Sequence, residues 1–394
     1  MAIRSLDNLL AEEEIRGKRV FVRADLNVPI SQGRIGDVTR IKASLPTLRR
    51  LLAAGARVVL SSHLGRPKGK RVPALSLRPV ATELERELGR PVAFADDCVG
   101  ERAESAAAAL GDGQILLLEN LRYHEEETKN DPDFARSLAR LADVYVNDAF
   151  GTAHRAHAST AGIVSHVKIT AAGDLLRSEL ASLDMLFSPE RPFLCFLGGA
   201  KVSDKLGILE ALIDRADVIG IGGAMAYTFL KARGESTGDS LVEPDRIEDA
   251  QRIMQAAEKK GCRLLLPSDH VVARKAEAGA ETRIVSEIPD GWIGLDIGPE
   301  SARAYAAETE SARTILWNGP MGMFEIEAFA GGTSALAQAI AASSATSVVG
   351  GGDSLAAVNQ LGVGDRIDHL STGGGASLEY VQGLRLPGVA ALEI

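Results

Sequence analysis

The stretch KRVFVRADLNVP, at residues 18–29, decides the fold. It opens with Lys18 and Arg19, has an apolar run at residues 20–22 with two β-branched valines, continues into polar side chains at Asp25 and Asn27, and stops at Pro29. The apolar run predicts a buried strand over residues 18–24, and the proline ends it because proline cannot donate a backbone hydrogen bond. Polar residues directly after a buried strand are typical of parallel α/β sheets, in which ligands bind beyond the carboxyl ends of the strands.

The same alternation continues along the chain, with apolar runs that predict strands and Ala/Leu/Glu-rich stretches that predict helices. In the first half we predict strands at 18–24, 57–62, 113–118 and 142–147, and helices near 39–54, 76–88, 100–110 and 132–140. In the second half we predict strands at 192–197, 217–221, 263–266, 313–317 and 346–350, and helices near 203–213, 246–260, 299–308, 332–342 and 353–360. The pattern predicts an α/β protein with two doubly wound parallel-sheet (Rossmann-like) domains.

The length of the chain agrees with two domains. Its 394 residues exceed one ordinary hydrophobic core, which favours domains of roughly 150–200 residues each. We place the first domain at residues 1–172, an interdomain helix and hinge at 173–187, and the second domain at 188–379.

Composition and charge exclude several classes of protein. A net charge of −9 and only 4% aromatic residues argue against nucleic-acid binding, which favours a basic face and stacking side chains. The first 170 residues carry a net +3 and the remainder −12, which suggests a different ligand on each half, although drift in surface charge explains the split equally well.

Cysteine usage and the N-terminal sequence predict a cytoplasmic protein without a membrane partner. Cys98, Cys195 and Cys262 are odd in number, far apart and without CxxC spacing, so we expect buried thiols in a reducing compartment and neither disulfides nor a zinc site. The first 18 residues lack the apolar core of a signal peptide, and no apolar run approaches the ~20 residues of a membrane span.

Familiar catalytic signatures are missing from the sequence. It contains no GxxxxGK[ST] phosphate loop, no GxGxxG turn that opens a helix and no GxSxG elbow. The pair His154 and His157 in HRAH has metal-ligand character but no evident third ligand, so we do not expect a metal there.

Basic side chains follow the predicted strands of the first half. Arg40 opens the first helix, His63 and Arg66 follow the second strand, Arg122 follows the third, and Arg155 comes after the fourth. Together they predict an anion pocket at one sheet edge, with Asp25 and Asn27 available for hydroxyl groups. Taken singly, each arginine is more often half of a surface ion pair.

Glycine-rich turns follow the predicted strands of the second half. GGAK at 198–201 and GGGDS at 350–354 each come between a strand and a helix, and WNGPMGMFE at 317–325 and TGGG at 372–375 are similar turns. We expect Lys201 and Lys205 on one helical face and Asp353 as a magnesium ligand. One such turn is ordinary chain reversal, whereas four with these side chains favour a polyphosphate and magnesium site.

In these segments the sequence resembles the phosphoglycerate kinase family. The resemblance rests on RADLNVP, SSHLGRP, LLLENLR, VNDAFGTAHRAHAST, LGGAKVSDK, LWNGPMGMFE, GGGDS and STGGGA, which occur in family order over essentially the whole chain. It implies a first domain that binds 3-phosphoglycerate or 1,3-bisphosphoglycerate, a second that binds ADP or ATP with Mg²⁺, closure about a hinge, and a monomer. It also implies that the last residues, 380–394, pack on the first domain.

The resemblance further implies a role for individual residues. Arg40, Lys201 and Lys205 would be catalytic, and the phosphoglycerate ligands would be Asp25, Asn27, Arg40, His63, Arg66, Arg122 and Arg155. The nucleotide ligands would be Gly199, Lys201, Lys205, Gly294, Asn318, Glu325, Gly351, Gly352, Asp353 and Ser354, with Asp353 also holding the metal. Two alternatives are a non-catalytic nucleotide-binding relative, which should have lost Lys201, Asp353 or Arg40, and a dehydrogenase, which should carry the dinucleotide fingerprint.

Overall fold

The protein is described by a computed structural model that covers residues 3–394. These residues form two compact units: the chain up to Ala181 together with Arg385–Ile394, and Ser182–Leu384. The division falls within the helix Asp174–Asp184. Among the described residues, no helix combines the length and the apolar character that crossing a membrane would need.

The first unit is built on a six-stranded parallel sheet. Its strands and the small hairpin beside it are β1 (Arg19–Ala24), β2 (Ile30–Ser31), β3 (Arg34–Ile35), β4 (Arg57–Ser61), β5 (Val92–Ala95), β6 (Ile115–Leu118), β7 (Val144–Asp148) and β8 (Thr170–Ala172). Its helices are α1 (Leu6–Glu12), α2 (Thr39–Ala53), α3 (Arg78–Leu88), α4 (Gly100–Ala108), α5 (Glu126–Lys129), α6 (Pro132–Ala139) and α7 (Asp174–Asp184), with α15 (Pro387–Ala390) near the C-terminus. The sheet order is β5-β6-β4-β1-β7-β8, so β1 lies centrally between β4 and β7.

The core of this unit forms because its central strands are apolar on both faces. Every residue of β6 and β7 is buried, and the aliphatic side chains of β1 and β4 pack with the apolar side of α2. The C-terminal segment joins this unit, where Gly388 N–H donates to Ala153 O at 2.8 Å. The result is a rigid sheet whose carboxyl edge carries the polar residues.

The second unit repeats the architecture. Its strands are β9 (Phe193–Leu197), β10 (Val218–Ile221), β11 (Arg263–Leu265), β12 (His270–Ala273), β13 (Thr282–Val285), β14 (Ile293–Ile297), β15 (Thr314–Asn318), β16 (Thr346–Gly350) and β17 (His369–Ser371). Its helices are α8 (Leu206–Ile213), α9 (Met225–Ala232), α10 (Ile247–Lys260), α11 (Pro299–Glu308), α12 (Gly331–Ala342), α13 (Gly352–Gln360) and α14 (Gly375–Val381). The parallel sheet has the order β11-β10-β9-β15-β16-β17, and the prediction of two doubly wound parallel sheets is confirmed.

The sequence analysis did not predict several elements. The three-stranded antiparallel sheet β13-β12-β14 was missed, and its strand β13 is mostly exposed, so it offers no buried apolar run. Helix α9 was missed because Met225–Leu230 are buried on all sides, which leaves no amphipathic period to detect. The edge strands β5 and β8 have only four and three residues.

One predicted helix start was wrong. Helix α8 begins at Leu206, not at residue 203, and Lys205 is its N-cap. The preceding residues form a turn because Ser203 is bound elsewhere: its Oγ and backbone N–H donate to the Glu243 carboxylate at 2.6 and 3.1 Å. Lys201 therefore lies outside the helix, and the two lysines do not share a helical face.

Candidate functional site

Polar side chains gather at the carboxyl edge of the first sheet, where the chain order reverses. After β1 the chain adds β4 on one side and later returns to place β7 on the other, so the ends of β1 and β7 flank the point of reversal. Loops diverge at such a point and leave a crevice for a ligand. The predicted phosphoglycerate residues come after strands β1, β4, β6 and β7, except Arg40, which lies in the first turn of α2.

Asp25 and Arg40 form an ion pair in this crevice. The Nη1 of Arg40 lies 2.8 Å from Oδ2 of Asp25, and the side chains are 35% and 8% exposed. The Asp25 carboxylate thus holds a partly exposed guanidinium in place near the end of β1. Arg40 keeps further N–H groups for an anion, because a guanidinium carries five donors.

Gly65 connects two of the other predicted residues. Its N–H donates to Asn27 Oδ1 at 2.9 Å, and its carbonyl oxygen accepts from Arg122 Nη1 at 3.0 Å. Gly65 has φ +61°, in the left-handed region that favours glycine, and a Cβ there would lie 2.7 Å from Leu75 Cδ2. The loop therefore positions Asn27 and Arg122 together.

His63 is buried beside a buried arginine. It is 4% exposed, and its Nδ1 lies 3.2 Å from Nη2 of Arg23, which is fully buried. Burial, together with the positive charges of Arg23, Arg122 and Arg40, holds the pKa of His63 well below its ordinary value. Burial and the neighbouring charges thus both favour the neutral imidazole over the protonated ring.

The remaining arginines differ in how closely they join this cluster. Burial lowers the pKa of Arg122 to about 10, and the nearby charges of Arg23 and Arg155 act in the same direction. Arg122 Nε is buried without a hydrogen-bond partner. Arg155 is exposed, and its Nε lies 3.1 Å from His154 Nε2. Arg66 is exposed, and no ion pair of its side chain is found among the described residues.

The second sheet reverses its order between β9 and β15, and the glycine turns meet there. Gly198 and Gly319 follow these two strands, and a Cβ on Gly319 would lie 2.2 Å from the carbonyl oxygen of Gly198. Gly319 and Gly199 have φ of +97° and +131°. A Cβ at Gly199 would meet nothing within 4 Å, so the backbone there faces open space. Only glycine allows this approach of two loops.

Lys205 and Asn318 are brought together at the same edge. Lys205 Nζ donates to Asn318 Oδ1, and Asn318 is the buried last residue of β15. Burial lowers the pKa of Lys205 to about 8, although the charges of Asp204 and Asp353 favour its protonated form. Lys201 is exposed in the preceding turn.

The N-terminus of α13 combines an exposed acid with a buried hydroxyl. Gly351, with φ +93°, is the N-cap, and Gly352 and Asp353 are exposed in the first turn. Ser354 is fully buried, and its Oγ accepts from Gly319 N–H at 2.7 Å. The Ser354 hydroxyl therefore fixes the neighbouring glycine turn.

A cavity of about 340 Å³ lies beside these turns. Its lining includes four of the ten predicted nucleotide residues: Gly199, Gly294, Glu325 and Asp353. Apolar walls come from residues such as Leu241 and Ile293. At Gly294 a Cβ would lie 2.4 Å from the Tyr227 ring, so this wall also depends on glycine. The cavity thus combines a mostly apolar lining with two carboxylates, those of Glu325 and Asp353.

Among the described residues, one group has the spacing for a metal ion, and it follows strands β5 and β6 of the first unit. The ligand atoms of Asp97, Cys98 and His124 lie within 4.8 Å of one another. The Asp97 carboxylate already contacts His124 Nε2 at 2.7 Å and Arg71 Nη2 at 2.5 Å. These ion pairs explain why the three side chains lie close together. The pair His154 and His157 is not part of such a group.

Three residues of the first cluster were not predicted as functional. Arg23 was visible only as a charged residue inside an apolar strand, and that position was the one signal available. Glu127 and Ser159, which hold Arg23 in place, carry no motif of their own. Ser159 is 136 positions from Arg23 and 32 positions from Glu127 in the sequence, so no local pattern links the three residues.

Comparisons with known proteins all lead to one family. The family model described as "Phosphoglycerate kinase" matches residues 10–384. A protein named phosphoglycerate kinase from Moorella thermoacetica is 58% identical, covering 97% of this chain and 98% of that protein. The wheat (Triticum aestivum) protein named cytosolic phosphoglycerate kinase is 51% identical over the full length of both.

Solved structures give the same result. The structure of phosphoglycerate kinase from Coxiella burnetii superposes with a TM-score of 0.89 at 40% identity, covering 99% of each chain. The family match over nearly the whole length, the sequence identities and the shared fold lead to one conclusion. The chain belongs to the phosphoglycerate kinase family.

Proposed function

We propose that this chain catalyses the reversible transfer of the acyl phosphate of 1,3-bisphosphoglycerate to ADP, giving 3-phosphoglycerate and ATP. The observation that carries this proposal is the cluster of Arg40, His63 and Arg122 at the carboxyl edge of the first sheet. A small ligand with several negative charges is the chemistry that suits such a cluster. Membership of the family supports the same reaction.

In this function the first unit binds the phosphoglycerate. Arg40, Arg66, Arg122 and Arg155 would neutralise its phosphate and carboxylate, and His63 would donate a hydrogen bond from a neutral ring. Asp25 accepts from Arg40 at 2.8 Å and would also accept from the glycerate hydroxyl. Asn27, fixed by Gly65, keeps its amide N–H₂ group for an oxygen of the ligand.

The second unit would bind the nucleotide in the glycine-lined cavity. The adenine ring would lie against the apolar lining beside Gly294, and Glu325 would accept from the ribose hydroxyls. The phosphates would lie along Gly199 and the N-terminus of α13, where the backbone N–H groups of Gly351, Gly352 and Ser354 favour an anion. Lys205, held by Asn318, would add a positive charge.

Magnesium fits the same site. Asp353 is an exposed carboxylate in the cavity lining. Mg²⁺ prefers oxygen ligands and is commonly held by one or two carboxylates together with substrate phosphates. Asp353 would hold the ion, which supplies neutralisation of phosphate charge when bound.

The chain does not need a general base for this reaction. The attacking oxygen is already ionised in both directions, a phosphate oxygen of ADP one way and the carboxylate of 3-phosphoglycerate the other. Catalysis then consists of alignment and of charge stabilisation on the transferring phosphoryl group by Arg40, Lys201 and backbone N–H groups. Loss of one such donor costs about 3–4 kcal/mol, or roughly 10²–10³ in rate.

A coupled assay with 3-phosphoglycerate and ATP tests this function. We expect Lys201→Ala and Arg40→Ala each to lower turnover at least about 100-fold while circular dichroism stays unchanged. Lys259→Ala and Arg102→Ala remove exposed charges of the same types from α10 and α4 and should leave turnover within about twofold. Wild-type protein that binds nucleotide without turnover would instead identify a non-catalytic relative.

We also propose that the protein works as a cytoplasmic monomer. Its three cysteines are free and buried, as is usual in a reducing compartment. Light scattering should then give one species near the chain mass of 41.6 kDa, and a dimer mass at micromolar concentration would contradict the monomer.

A further inference from the structure

A buried row of four side chains runs from Glu127 to His63. The Oε1 and Oε2 of Glu127 accept from Ser159 Oγ at 2.6 Å and from Ser159 N–H at 2.9 Å. Ser159 Oγ in turn accepts from Arg23 Nε at 2.8 Å, and Arg23 Nη2 lies 3.2 Å from His63 Nδ1. Glu127, Ser159 and Arg23 are all 0% exposed.

The direction of every hydrogen bond in this row is determined by chemistry. A carboxylate only accepts, so the single hydroxyl proton of Ser159 goes to Glu127. The hydroxyl oxygen is then the acceptor for Arg23, which is consistent because a guanidinium only donates. Arg23 must likewise donate to His63 Nδ1, which leaves the ring proton of His63 on Nε2.

We propose that Glu127 is a positioning residue for substrate binding: acting through Ser159 and Arg23, it holds His63 as the neutral Nε2–H tautomer, which donates to the anionic substrate. Among the described residues no hydrogen-bond partner of His63 Nε2 is found, so this donor is available to a ligand. The identity of that ligand as a phosphoglycerate rests on the proposed function. The tautomer itself does not depend on it.

A neutral donor has a physical advantage at this position. His63 is surrounded by positive charge, so a protonated imidazole would be strongly disfavoured there. With Arg23 occupying Nδ1, the ring retains one directed N–H group across the physiological pH range. The charged and titratable groups that face it are Arg23, Arg40, Arg122, His157 and, at 4.0 Å, Asp25.

Glu127 also has structural contacts, and these must be separated from the positioning role. Its backbone oxygen accepts from Ala158 N–H at 2.9 Å, and its carboxylate lies 3.8 Å from His157 Nδ1. A purely structural Glu127 would affect stability without any specific effect on the His63 ring. The state of that ring is therefore the decisive measurement.

The experiment uses the full-length protein with ¹⁵N-labelled histidine. Long-range ¹H–¹⁵N spectra report the tautomer and protonation of His63, whose signals are assigned with His63→Gln. Ser159→Ala removes only the bridging hydroxyl, and Ser165→Ala is the matched control, because Ser165 is exposed and bonds only to Gly162 O nearby. Glu127→Gln is the second variant, since its amide replaces one of the two accepting oxygens with an NH₂ donor.

Wild type and Ser165→Ala should show His63 as a single Nε2–H tautomer that does not protonate between about pH 5 and pH 8. In Ser159→Ala and Glu127→Gln we expect a mixture of tautomers or a new titration in that range. The KM for 3-phosphoglycerate should rise at least about tenfold, the worth of one hydrogen bond to a charged group, while the KM for ATP stays within about twofold.

Two results would overturn this role. One is an Nδ1–H or protonated His63 in the wild type at neutral pH, which needs no variant to fold. The other is a folded Ser159→Ala whose His63 spectrum and KM values match those of Ser165→Ala. Should the wild type fail to turn over phosphoglycerate, the proposed function fails, but the spectra still decide the part played by Glu127.

Discussion

The pH dependence of nucleotide binding tests the part assigned to Lys205. Burial lowers the pKa of this ammonium group to about 8, although Asp204 and Asp353 favour its charged form. Below that pH the side chain carries the positive charge that a polyphosphate attracts, and above it the charge is lost. Affinity for ADP should therefore fall as the pH rises through 8.

The size of the effect follows from the protonated fraction. Near pH 7 about nine tenths of the Lys205 side chains are charged, and near pH 9.5 only about 3% are. If only the charged form binds, the Kd of ADP rises about 30-fold over this interval. Phosphate monoesters have a second pKa near 6, so their ionisation is nearly complete above about pH 7 and the ligand contributes little to the slope.

Isothermal titration calorimetry of ADP with Mg²⁺ at a series of pH values measures this slope. Lys205→Arg should bind with a flat profile, because a guanidinium stays charged throughout the range. Lys205→Met should be flat and weak, and the exposed Lys259→Met should keep the wild-type slope. A wild-type Kd that stays within twofold up to about pH 9.5, or a Lys205→Arg variant with the wild-type slope, would refute the reasoning.

Two further predictions concern stability. Burial raises the pKa of Asp148 to about 7, so its contribution to folding is fully present below its unfolded value of 3.8 and is lost as the pH rises through 7. Asp148→Asn should remove this loss. Between pH 4 and pH 8 the free energy of unfolding should therefore fall by up to about 4 kcal/mol more in the wild type than in the variant. Urea unfolding at both pH values measures this difference, and equal changes in the two proteins would contradict the prediction. Gly319→Ala should destabilise by at least about 1–3 kcal/mol, because φ is +97° and its Cβ would lie 2.2 Å from Gly198 O. Gly364→Ala, with only ordinary contacts, is the control and should unfold like wild type.

Much of the fold was predictable because its strands are buried on both faces. Strands β9 and β15 lie within one residue of their predicted bounds, since a continuous apolar run between helices has few other interpretations. The start of α8 was not predictable, because the turn before it depends on Ser203 binding Glu243, 40 residues away. Local patterns describe local structure, and this contact is not local.

The same distinction divides the site. Asp25 and His63 were predicted because each follows a strand of one parallel sheet, and topology alone brings such positions to one edge. Which phosphate or hydroxyl each residue contacts stays a prediction. The buried partners were not predictable, because a glutamate on a four-residue helix such as α5 resembles any surface acid.

The burial of Glu127 changes how the charge of the first unit should be interpreted. The excess of basic residues in the first half of the sequence suggested that the two halves bind different ligands, but Arg23 is fully buried and points to His63 and Ser159. A buried guanidinium without a nearby anion is costly, and Glu127 supplies that anion through one hydroxyl. In the role proposed for Glu127, Arg23 would bind no ligand directly but would set the hydrogen-bonding state of His63. Counting charges in a sequence cannot separate such a residue from one that contacts a ligand, whereas burial and hydrogen-bond direction can.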